Sequence, residues 1–331
     1  MIKAINLSTY QYDMDRYNNN YKNVNKFLED NNINAIELFG LQLYNEELIP
    51  KDKIIGAHLM HYPVWLDFWN EDEEGLFEEF SSKEDIINYY GNLDKKVIID
   101  KYREEIKIAE KLNAEYAVFH VSNVRTKDCF NYEFTYTDKE VVDATIEIVN
   151  EIFKGLDTNI AILFENLWWP GLKMTDPELV RYFIENIEYK NKGIMLDTGH
   201  LLNTNLDINN EEEGIEYLIE TISNLGDMKD YIKGIHLSKS LSGKYVKEQL
   251  SGKYVKEQIE KYKNKDIDYS EVNNEIIYHI LNIDEHKPFT NNKINNLIEM
   301  INPKFLVYEF ITTSLEELSD FIKIQDKVLG L

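Results

Sequence analysis

Eight short apolar runs, rich in β-branched and aromatic residues, recur along the chain between longer amphipathic stretches. The runs are Lys3–Ser8, Ala35–Phe39, Ile54–Met60, Tyr116–Val121, Ile160–Glu165, Gly193–Asp197, Lys233–Leu237 and Phe305–Phe310. Most are apolar throughout rather than alternating, which is the pattern of parallel strands covered on both faces. The stretches Lys101–Leu112, Lys139–Phe153, Glu211–Leu225, Asn291–Ile301 and Ser314–Val328 carry apolar residues at helical spacing. Strand–helix alternation repeated eight times in 331 residues predicts an α/β protein built as one (β/α)8 barrel. A doubly wound open sheet is the competing architecture, but no glycine-rich dinucleotide fingerprint follows the first run.

Two stretches exceed plain connections and are expected to be insertions after strands three and seven. Trp65–Tyr90 is acidic and aromatic, and Ser238–Ile283 follows the seventh run. Both fall on the face where strands end and barrel active sites lie. The second contains LSGKYVKEQ twice, at Leu241–Gln249 and Leu250–Gln258. At about 100° per residue, a nine-residue shift rotates a helix by half a turn net. The two copies cannot present one face to one core, so only one is expected to pack. No proline- or glycine-rich linker cuts the chain, and residues 1–331 read as a single domain.

Sixty acidic residues against 36 basic ones give a net charge of −24. That field repels DNA and anionic membranes at long range. Arg16, Arg103, Arg125 and Arg181 are the only arginines, so few planar forks for phosphate are available. A small-molecule substrate is expected, rather than a nucleic acid or a membrane. Cys129 is the only cysteine, which excludes an intrachain disulfide and a thiolate zinc site. The N-terminus lacks a basic-then-apolar signal pattern, and no apolar run approaches the roughly 18–20 residues that span a bilayer. A cytoplasmic protein is expected.

The ends of the runs hold the chemistry. The third ends in GAHLMH (His58, His61), the fourth in FHVSN (His120) and the fifth in LFENLWW (Glu165). The sixth ends in MLDTGH (Asp197, His200), the seventh in GIHLS (His236) and the eighth in VYEF (Glu309). Asp284 and His286 form an Asp-x-His pair in NIDEHKPF. His279 lies outside the set and reads as helical and structural. Any one of these residues alone is better read as a cap or a hydrogen-bonded core group. Together, Glu165, Asp197 and Glu309 at a barrel mouth would cost several kcal/mol per uncompensated charge. No lysine or arginine ends these runs, so a divalent metal is expected to offset them; imidazole with carboxylate suits zinc, manganese or iron.

At these residues the chain resembles the xylose isomerase-like TIM barrels, the superfamily of endonuclease IV and many sugar and sugar-phosphate isomerases and epimerases. The resemblance covers nearly the whole chain. It implies a four-ligand metal set of Glu165, Asp197, His236 and Glu309. The three-zinc arrangement of endonuclease IV would add His58 and His120, with Glu165 bridging, and a third ion on His200, Asp284 and His286. The Asp-x-His pair discriminates best, because a mononuclear isomerase does not need it. Two features depart from endonuclease IV: 48 positions separate His236 from Asp284, and FGLQLYNEEL stands where an arginine-rich DNA-binding loop would follow the second strand.

Three functional readings follow. The favoured one is a multinuclear, zinc-type hydrolase of a phosphoester or related small molecule, carrying up to three ions, with Glu165 at its centre. The alternative is a mononuclear sugar or sugar-phosphate isomerase or epimerase. There Glu165 and Glu309 would shuttle a proton beside the carbonyl, and His200 would donate a hydrogen bond to substrate. The last is a non-catalytic metal- or partner-binding barrel. Trp65, Trp69, Trp168 and Trp169 could wall such a site or simply pack loops onto helices.

Overall fold

The computed structural model describes residues 1–253, 257, 258, 260 and 269–331. Eight strands lie near the expected runs: β1 (Ile2–Ser8), β2 (Ala35–Phe39), β3 (Ile54–His58), β4 (Tyr116–His120), β5 (Ala161–Glu165), β6 (Lys192–Asp197), β7 (Ile232–Leu237) and β8 (Phe305–Tyr308). Each pairs in parallel with its sequence neighbour, and β8 pairs with β1, closing the (β/α)8 TIM barrel. Two apolar layers hold it. One lies between strands and outer helices and includes Ile36, Leu38, Ile148 and Phe183. The other includes Ala4, Tyr116, Leu163, Met195 and Val307 and fills the barrel interior.

Parallel pairing puts every strand end on one face, and register then sets which chemistry shares a level. His120 lies beside Glu165, and Asp197 beside His236. Gly56 on β3 is required by what crosses it. A Cβ there would lie 2.1 Å from Cζ of Tyr116. The tyrosine uses that space to reach Glu37 on β2, which accepts its hydroxyl hydrogen at 2.7 Å.

Between β3 and β4 the acidic stretch folds into helices Leu66–Trp69, Glu73–Glu79 and Lys83–Tyr90, followed by the longer Lys96–Lys111. Arg125 pins this stretch down. Its Nη2 and Nε donate to the two oxygens of buried Asp67 at 2.6 and 3.0 Å. Trp65 and Trp69 are buried here, donating to the Ser122 carbonyl and to Glu147. They pack the loops and do not wall the mouth.

Between β7 and β8, the helix Gly243–Ser251 carries most of the first LSGKYVKEQ copy, and its Val246 is buried against Trp168, Trp169 and Ile283. In the second copy Leu250, Ser251 and Lys253 are exposed and Gln258 is buried; 254–256 lie outside the described residues. His279 sits on the helix Tyr269–Ile283, between the Tyr245 hydroxyl at 2.9 Å and the Cys129 carbonyl at 3.1 Å. No helix among the described residues is long and apolar enough to cross a membrane.

Candidate metal centre

The barrel mouth gathers all nine residues that the sequence singled out as metal ligands, in three groups, two of which share Glu165. His58, His120 and Glu165 form the first group. Glu165, Asp197, His236 and Glu309 form the second, and His200, Asp284 and His286 the third. Within each group the donor atoms lie within 4.8 Å of one another. That spacing suits donors placed about 2.0–2.2 Å from a shared divalent ion.

Glu165 is the hinge of the arrangement. Its Oε2 lies 3.1 Å from Nε2 of His58 and 3.0 Å from Nε2 of His120. Its Oε1 lies 3.1 Å from Nδ1 of His236 and 3.4 Å from Nδ1 of His200. Asp197 ends β6 and caps the following helix Thr198–Asn203, accepting from the His200 amide at 2.6 Å. The Asp-x-x-His spacing is therefore one capped helical turn, and it delivers His200 beside Asp197.

The third group depends on a loop far from the strands. Asp284 Oδ2 lies 3.1 Å from Nε2 of His200 and 2.6 Å from Nε2 of His286. Lys239 and Lys287 exchange two backbone hydrogen bonds, at 2.7 and 3.1 Å, tying this loop to the end of β7. Ser240 Oγ accepts from the Glu285 amide at 2.9 Å. His286 itself sits at φ +46°, in the left-handed region that non-glycine residues rarely occupy. Such strain gathers where geometry serves a function.

Tautomers follow from the acceptors. His58 donates from Nδ1 to the Leu59 carbonyl at 3.1 Å, His200 to the Asn166 carbonyl at 2.9 Å, and His286 to the Glu309 carbonyl at 2.8 Å. A carbonyl only accepts, so in all three Nδ1 carries a proton and Nε2 faces the carboxylates. His236 is inverted: its Nε2 lies 2.9 Å from Oε1 of Glu37, and its Nδ1 faces Glu165 and Glu309.

Glu37 escaped the sequence reading. It is fully buried on β2, and the AIELF run marks it only as a charged residue in an apolar strand. A carboxylate behind a ligating imidazole fixes its orientation and raises its basicity. Glu37→Gln is expected to weaken metal retention at the second group by about 10–100-fold. Competition against a chelator measures this, and a titration superimposable on wild type would count against it.

Electrostatics also fit metal binding. Burial alone would raise the Glu165 pKa, but His120 and His236 outweigh it and hold the carboxyl well below its usual range. His286 and His200 likewise outweigh burial at Asp284 and lower it. Burial acts on Asp197 most strongly and pushes it up to about 7. Its Oδ2 is buried without a hydrogen-bond partner among the described residues. Burial would lower His286, but Asp284 beside it raises the ring to about 10. The histidines with raised pKa stand in for cations, and a divalent ion would displace their protons. In protein stripped of divalent ions, the stability that the raised His286 ring contributes is present between the ordinary carboxylate range, below which Asp284 of the unfolded chain is protonated, and about pH 6.5, and is lost as pH rises through about 10. The Tm of stripped protein should therefore fall as pH rises from about 6.5 through about 10; a flat Tm would contradict the pairing.

Two neighbours complete the mouth. Trp168 is buried with its ring centroid 5.2 Å from that of His200, so one of the four tryptophans touches a candidate ligand. The ring of His61 lies edge-on to His120 at 4.5 Å, outside the three groups.

Solved structures of known proteins superpose on this chain. Endonuclease IV from Thermus thermophilus superposes with a TM-score of 0.54 at 10% identity, covering 100% of this chain and 99% of that one. The probable 3-DHS dehydratase AsbF of Bacillus anthracis gives 0.50 at 13% identity, covering 99% of each chain. A D-tagatose 3-epimerase-like protein gives 0.49 at 15% identity, covering 99% of each. At such identities the likeness is one of fold, and one fold hosts many chemistries. No curated protein matches the sequence. The family model described as xylose isomerase-like TIM barrel matches residues 80–302, well over half of the chain. The chain belongs to the xylose isomerase-like TIM barrel family.

Proposed function

We propose that this protein is a multinuclear-metal hydrolase of a phosphoester or related small-molecule substrate, with zinc the expected metal and manganese or iron the alternatives. The observation that carries this reading is the third group. His200 and His286 converge on one carboxylate oxygen of Asp284, at 3.1 and 2.6 Å, beyond the four residues a single-ion isomerase would use.

The first group would hold one ion, the second another across Glu165, and the third a peripheral one. Bound there, such ions supply Lewis acidity to the attacking and leaving oxygens of a displacement. The protein's own part is to fix and shield the donors. Glu165 joins the first two groups, so its carboxylate sets their spacing. Phe39 stacks on His58 at 4.1 Å and Trp168 lies against His200, each packing against a candidate ligand ring.

The arginines support a small substrate. Arg16 binds Asp13 and Thr312, Arg103 binds the carbonyls of Glu151, Ile152 and Lys154, Arg125 binds Asp67 and Glu78, and Arg181 binds Asp227. All four are engaged within the protein. With a net charge of −24, no free arginine fork is left for bidentate contact with a polyanion's phosphates.

The test is hydrolysis of bis(p-nitrophenyl) phosphate by metal-loaded and chelator-stripped protein, run beside a panel of aldoses, ketoses and their phosphates. Chelator-sensitive hydrolysis is expected, with little incision of abasic duplex DNA at near-physiological salt. Isomerisation of a sugar without ester hydrolysis would overturn the proposal and favour the single-ion isomerase.

A further inference from the structure

A cleft of about 490 Å³ opens directly beside the first group, with His58 and His120 in its wall. Its volume lies in the range of small-molecule sites. Tyr10, Phe39, Leu43, Leu59 and Met60 are in its lining, and among the described residues no lysine or arginine lines it. Glu105, its one carboxylate among the described residues, is buried and accepts from the Met60 amide at 2.7 Å.

The rim is held in place before any ligand arrives. Thr9 donates from its amide to the Phe39 carbonyl at 3.1 Å and from its hydroxyl to the Gly40 carbonyl at 2.7 Å. Those bonds lock the loop carrying Tyr10 to the end of β2, so little order remains to be imposed on binding. Phe39 continues from the stack on His58 into the cleft. Outside, Tyr10 stacks on Tyr12 with centroids 6.2 Å apart, and both are exposed, as is Leu43. These exposed aromatic and aliphatic groups leave apolar surface at the rigid mouth that a bound ligand would cover.

We propose that this cleft is the subsite for an uncharged planar ring on the substrate, which places the preferred substrates among ring-bearing phosphoesters with a single anionic group. This rests on the hydrolase reading for the position of the anionic group at the metal centre. A second anionic group in the cleft would meet Glu105 and no lysine or arginine among the described residues, since the His58–His120 metal group is taken by the first anionic group, whereas a ring gains apolar burial and stacking on Tyr10 and Phe39. A small alkyl group would leave most of the cleft unfilled.

The test uses metal-loaded protein and two ligands that each carry one phosphonate group, phenylphosphonate and methylphosphonate, at a pH where both are dianions, with binding followed by calorimetry. Phenylphosphonate is expected to bind at least about tenfold more tightly. The Tyr10→Ala/Leu43→Ala double variant should bring that ratio close to one. Both residues are about half exposed or more, so truncating them does not open the core. Hydrolysis of phenyl p-nitrophenyl phosphate and methyl p-nitrophenyl phosphate is measured in parallel. Equal phosphonate affinities with ester hydrolysis intact would overturn the ring subsite and leave the hydrolase reading standing. A ring-dependent affinity without hydrolysis of either ester would support the ring site and overturn the hydrolase reading. A preference that survives unchanged in the double variant would place ring recognition elsewhere and overturn the cleft assignment.

Discussion

Glu165→Gln is expected to strip the first and second groups of their ions while the third group keeps its own. Glutamine preserves the volume and one oxygen, so the buried site does not collapse. It removes the charge that offsets His58, His120 and His236, all within 3.1 Å of the carboxylate. Removing one partner of a buried charged cluster leaves the others uncompensated, which is the costly way to break it. Phosphodiester hydrolysis should fall by on the order of a thousandfold or more, equivalent to about 4 kcal/mol of transition-state stabilisation. Circular dichroism should remain that of the wild type, because glutamine keeps the side chain's volume and leaves both apolar layers of the barrel unchanged. Full metal content in the variant would show that Glu165 bridges nothing.

His286→Ala is the second large effect, and it separates nuclearities. The ring lies 2.6 Å from Asp284 and belongs only to the third group. Its loss should lower bound metal by about one ion per chain while the barrel stays folded, since a pre-formed scaffold does not depend on one peripheral ion as a zinc finger does. Ester hydrolysis should drop by orders of magnitude if that ion offsets charge on the leaving oxygen, each tenfold corresponding to about 1.36 kcal/mol. In a single-ion isomerase the same substitution would leave metal content unchanged.

Much of the barrel was legible because a parallel strand buried on both faces has to be an uninterrupted apolar run. The observed strands start and stop within about two residues of those runs, as helix and strand boundaries ordinarily do. Chemistry-bearing residues at the run ends pointed to one shared face, since parallel topology forces all the ends together. Other features depend on three-dimensional context. Glu37 looks like an interruption of a strand until Tyr116 is seen crossing Gly56 to meet it. The pairing of Asp284 with His200 is set by the Lys239–Lys287 bridge and the left-handed turn at His286, and neither leaves a periodic signal. The helices Tyr21–Asp30 and Pro177–Asn186 were absent from the helical stretches read in the sequence. Yet Asp176 at the N-cap followed by Pro177 is a start signal that stands in the chain. The tryptophans divided because burial alone does not say whether a ring faces a site: Trp168 meets His200, while Trp65 and Trp69 hold down the acidic helices.

The most direct test of the metal centre is elemental analysis of the wild-type protein, loaded with zinc and freed of loosely bound ions by gel filtration. Three filled groups give about three ions per chain. A stoichiometry of one, stable to repeated loading, would contradict the multinuclear centre and leave only the Glu165, Asp197, His236 and Glu309 set occupied.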